Sequence, residues 1–133
     1  MPQHLKKSAY LWLFGCISWA LLVLWLSLTP HPPRIRMPLL SWDKFQHCAS
    51  YALLTLFAGR SAVILRPGRR GNWLLAGGGA LAFGSLIEGL QFLTHKGRTA
   101  DFRDILANAT GILVVCLLAT LWRRFGPVSR TVP

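Results

Sequence analysis

Three short constellations in this sequence carry residue types able to do chemistry. Asp43, His47 and Tyr51 recur at i, i+4 and i+8, a spacing that sets them on one face of a helix. Glu88 and Gln91 stand at i, i+3. Asp104 and Asn108 stand at i, i+4, with Asp101 one turn earlier and Gly111 one turn later. Carboxylates beside an imidazole can exchange protons, so Glu88, His47 and Asp104 are candidate acid/base groups. The same donors could hold Mg, Mn or Zn. No tight ligand motif such as HExxH is present, and no cofactor is expected. Arg98 and Arg103, with Lys96, could grip phosphate, because guanidinium meets it in a bidentate fashion. No Ser or Cys has an evident base beside it, which argues against acyl transfer but not against water- or metal-based hydrolysis.

The elements that must position these residues are apolar. Of 133 residues, 53% are hydrophobic and 14% charged, where soluble domains carry about a quarter charged. Apolar segments run over about 10–28, 42–65, 73–93 and 104–122. A stretch of ~19 residues at a rise of ~1.5 Å reaches about 28 Å, enough to cross the hydrocarbon. The expected fold is therefore all-α: one membrane domain over 1–133, a bundle of four transmembrane helices. The first segment is too long for the core of a cleaved signal, and SLTPHPP is a poor cleavage site, so an uncleaved signal-anchor is expected. The prolines that follow cannot continue a helix. The glycines at 77–79, 84 and 89 suit close approach between helices.

Fifteen Lys and Arg face four acids. They cluster at the ends of apolar runs, as membrane-orienting charges do, so no nucleic-acid partner is expected. Lys6, Lys7, Arg60, Arg66, Arg69, Arg70, Arg123, Arg124 and Arg130 outnumber Arg34, Arg36, Lys44, Lys96, Arg98 and Arg103. That bias sets both termini in the cytoplasm, with the first and third loops outside, in a multi-pass protein of the inner or plasma membrane. Cys16, Cys48 and Cys116 lie in or beside apolar segments without metal spacing, and read as free packing thiols.

In this topology the polar residues share one level. His47, Glu88 and Asn108 each fall roughly 6–8 Å below the outer end of their helix. An acid at the centre of a membrane helix costs on the order of 2.5–3.5 kcal/mol on insertion scales, less near the interface. Glu88 should therefore face the bundle interior and a partner: His47, Lys44, Arg98 or Arg103. The first helix offers only a wall.

The stretch DKFQHCASYALL, 43–54, resembles the DKxxHxxxYxxL element of the VanZ-like membrane proteins. EGLQ at 88–91, followed by RTADFRDILANATG at 98–111, resembles that family's E-x-x-Q and R-x-x-D-x-x-D-x-x-x-N-x-x-G element. SLTP resembles its Ser/Pro segment. The resemblance spans about residues 26–115 and implies a small four-helix integral membrane protein. The family's named member is linked to teicoplanin resistance. Matching motif positions are Asp43, Lys44, His47, Tyr51, Glu88, Gln91, Arg98, Asp101, Asp104 and Asn108.

Each of these residues also has a structural reading. Glu88 could glue helices, although polar contacts in membranes average only about 0.6 kcal/mol. Asp101 and Asp104 could serve the dipole of the fourth helix. Tyr51, Asn108 and Gly111 could simply pack, and the loop arginines could meet anionic headgroups. The functional expectation is an outward-facing polar pocket that handles an anionic lipid or a lipid-linked cell-envelope intermediate, with an effect on glycopeptide susceptibility. Alternatives are an intramembrane enzyme acting on such a lipid, and a non-catalytic helper of an envelope or transport complex that binds a protein partner.

Overall fold

The computed structural model describes residues 3–30, 43–94 and 101–125. Four helices follow in order: α1 Gln3–Leu28, α2 Asp43–Leu65, α3 Asn72–Thr94 and α4 Phe102–Phe125. All four are long and apolar enough to cross a membrane, and the protein is a multi-pass membrane protein. Large apolar side chains cover the outside, among them Leu11, Phe14, Leu21, Leu86, Leu113 and Leu117. In water such a surface would be a liability, whereas hydrocarbon is its natural solvent. Hydroxyls on the helices turn back onto their own backbone. Thr55, Thr110 and Thr120 donate to the carbonyls of Tyr51, Leu106 and Cys116, so none needs water.

Two boundaries differ from the sequence expectation. α1 starts at Gln3 rather than near residue 10, so Lys6 and Lys7 lie inside it. Both are exposed, and long cationic side chains can leave a helix for the headgroup layer without breaking it. α4 runs on to Phe125, which places Arg123 and Arg124 in its last turn, where they complement the helix dipole.

α2 is the central helix. It packs on α1, α3 and α4, with α4 its most extensive partner. Glycine sets that last approach: a Cβ at Gly111 would overlap the backbone carbonyl of Cys48. On the α3 side the ring of Trp73 occupies the space over Gly59. Gly77 lies against Ile112 and Cys116 of α4. Gly78, Gly79 and Gly89, also expected to bring helices together, face open space. The small apolar core joins Val23, Tyr51, Leu54, Ala80, Ile87 and Ile112. The cysteines are free thiols.

The helices alternate in direction. Arg60, late in α2, stacks on Trp12, early in α1, and Arg123, late in α4, donates to the carbonyl of Arg70 in the α2–α3 turn. The start of α1, the turn and the end of α4 therefore share one end of the bundle. At the other end, the start of α2 meets the start of α4, and the end of α1 meets the end of α3.

Candidate functional site

The polar residues gather at this second end. At the start of α2, Lys44 donates from Nζ to Asp101 Oδ2 at 2.8 Å and to Asp104 Oδ1, and lies 3.5 Å from Asp43 Oδ2. One ammonium thus ties α2 to α4 through two carboxylates. One turn deeper, His47 Nδ1 lies 3.1 Å from Asn108 Oδ1. The tautomer with its proton on Nδ1 satisfies that contact, leaving Nε2 at 3.6 Å from Asp104 Oδ2 and 3.9 Å from Asp43 Oδ1. Gly111 makes this pairing possible, because helices at ordinary separation would hold these short side chains apart.

Asp101 organises the entry to α4. It precedes the first helical residue, and its Oδ1 accepts the backbone N–H of Arg103 at 2.9 Å. It is therefore the N-cap. The Lys44 ammonium, and then the Arg103 N–H, hold its carboxyl below the usual range. Glu88, only 5% exposed, completes the junction from α3: its Oε2 lies 3.3 Å from the Asp101 backbone N–H. The sequence expectation offered Glu88 a side-chain partner, with Lys44 among the candidates. Lys44 is taken up by the aspartates, and among the described residues the donor to Glu88 is the Asp101 backbone; the candidate Arg98 lies outside them.

Asn108 and Tyr51 are buried beneath this layer. A Cβ at Gly84 would lie 2.9 Å from both Asn108 Nδ2 and the Tyr51 ring, so this glycine of α3 is part of the site's floor. Gln91 turns elsewhere. Its Nε2 donates to the carbonyl of Ser27 on α1 at 2.8 Å, which makes it a clamp between α1 and α3. Trp19 of α1 likewise donates to the carbonyl of Ser50 at 2.9 Å. α1 is thus pinned at two points, beyond its expected role as a wall. Backbone acceptors carry no signal in a sequence, and only Ser27, within the SLTP segment, was marked there. Arg103 is exposed at the rim. Arg98 lies outside the described residues.

Asp43, His47 and Asp104 each offer a ligand atom within 4.8 Å of the others. Two carboxylates and an imidazole are a donor set that zinc or manganese accepts. Lys44, on the other oxygen of Asp104, opposes a dication there. What the arrangement offers directly is proton exchange at His47 Nε2 and a row of carboxylate acceptors. Buried side-chain polar atoms among the described residues all have partners.

Protein-family models, curated proteins and solved structures return no match to this chain.

Proposed function

We propose that this protein is a VanZ-like membrane protein whose polar site handles the headgroup of an anionic lipid or a lipid-linked cell-envelope intermediate. The site would face outward from the plasma membrane, with both termini cytoplasmic, as the Lys and Arg distribution indicates. The observation that supports this reading most is the convergence of α2, α3 and α4 on one polar layer at the end of the bundle, with Glu88 buried in it. Four carboxylates around a single Lys44 do not themselves attract phosphate. That role falls to Arg103 at the rim and to Arg98, while Asp43, Asp104, Glu88 and His47 accept hydrogen bonds or protons from the hydroxyls of the headgroup. The motif resemblance supports these residues apart from Arg103, which is not a motif position, and with them an effect on teicoplanin susceptibility.

The test is binding of a polyprenyl phosphate to the purified protein in zwitterionic nanodiscs. Arg98→Ala and Arg103→Ala should each weaken it about tenfold, the scale of a lost charge-assisted hydrogen bond of ~1.5 kcal/mol. Unchanged binding in both variants would remove the phosphate role.

A structural reading has one observation in its favour, the internally satisfied Lys44–Asp101–Asp104 network. On that reading Glu88→Gln would alter stability and leave binding intact.

A further inference from the structure

The opposite end of the bundle has a different character. All four acids of the chain, Asp43, Glu88, Asp101 and Asp104, belong to the polar site or its entry. The turn end gathers Arg60, Arg66, Arg69, Arg70, Arg123 and Arg124, with Lys6 and Lys7 of α1, and has no acidic residue to balance them. Like charges held this close repel one another, and an anion supplied from outside relieves that repulsion.

The structure also provides a place for such an anion's apolar part. A groove of about 580 Å³ runs between α2 and α4 at this end, walled by residues including Val63, Leu118 and Trp122 and edged by Arg60, Arg69 and Arg123. Its volume falls in the roughly 300–1,000 Å³ range of sites that take small ligands. The edge is built rather than loose. The Arg60 guanidinium lies over the Trp12 ring, its Cζ 5.5 Å from the ring centroid, a cation–π contact that helps hold it in place. Arg123 is drawn over the turn by its bond to the Arg70 carbonyl. The turn is fixed in its own right: Gly68 takes a φ of 81°, and the buried Asn72 donates to the Arg66 carbonyl at 2.8 Å.

We infer that this groove is a binding site for one anionic phospholipid, with an acyl chain along the apolar wall and its phosphate between Arg60, Arg69 and Arg123. Charge complementarity selects this occupant. A zwitterionic lipid would fill the wall and leave the arginine excess uncancelled, and a soluble anion would leave the wall bare. The inference concerns the end of the bundle opposite to Glu88 and His47 and does not rest on the function proposed for them.

The experiment is native mass spectrometry of the full chain released from nanodiscs of phosphatidylcholine containing a minor fraction of phosphatidylglycerol. Wild type should retain one phosphatidylglycerol in preference to phosphatidylcholine. Arg69→Ala and Arg123→Ala should each lower that preference about fivefold, the effect of one basic residue near an anionic lipid. Ala119→Trp, which fills the groove and keeps every charge, should lower retention as well. A phosphatidylglycerol preference unaffected by Ala119→Trp would mean diffuse attraction by the basic surface and would overturn the site. So would the absence of any preference in wild type. Helicity and elution volume report whether each variant is folded.

Discussion

Lys44 is the residue on which the polar end of the bundle turns. It is a cation held among Asp43, Asp101 and Asp104, and its loss would leave these carboxylates facing one another, with Asp104 buried. Breaking a fully buried pair costs roughly 3–5 kcal/mol. The Lys44 side chain keeps 27% of its exposure, so solvent screens part of the interaction, and Lys44→Met should destabilise the protein by about 2 kcal/mol. Lys44→Arg should recover much of the loss. Reversible unfolding in mixed micelles measures both, and a Lys44→Met variant as stable as wild type would show that the network holds nothing together. The sequence marks Lys44 as a motif residue but points to Asp43, His47 and Tyr51 as the working face of α2. The structure keeps Asp43 and His47 in the cluster and adds Lys44 beside them, and the addition has a physical reason. Helical spacing tells which residues share a face, while the direction of that face depends on where the neighbouring helix lies. Nor was the donor that Glu88 meets among the described residues legible: it is the N–H of Asp101, a group that every residue except proline carries.

At the scale of the helices, the four spans and their order were legible because hydrocarbon leaves the backbone few alternatives. The boundaries at Lys6 and Arg124 were less so, since a helix can outrun its apolar segment when its polar residues snorkel. Glycine shows both outcomes. A run of three glycines looks like a contact surface, yet Gly78 and Gly79 face open space, while the isolated Gly111 holds α2 against α4. Gly111→Val should therefore force these helices apart and separate His47 from Asn108, at a cost of about 1–3 kcal/mol from overpacking. Gly78→Ala should be close to neutral. Thermal unfolding of the two variants decides the matter. A Gly111→Val protein that unfolds with wild type would contradict the close approach.

Over the whole molecule, the chain separates its charge: acids at one end with Lys44 enclosed among them, basic residues at the other without an acid. This polarity gives the two ends different surroundings, a cluster of carboxylates with Arg103 at its rim at one and a surface of basic residues at the other. The central claim is that the acidic end is a binding site and more than an internal brace. Native mass spectrometry of the protein released gently from its own membrane, wild type beside Glu88→Gln, tests this most directly. Wild type should carry a specific lipid or lipid-linked species that is absent from Glu88→Gln, with the folded mass and helicity of the variant unchanged. Identical spectra for the two proteins, with no species lost, would contradict the central claim and leave Glu88 as a structural link between α3 and the cap of α4.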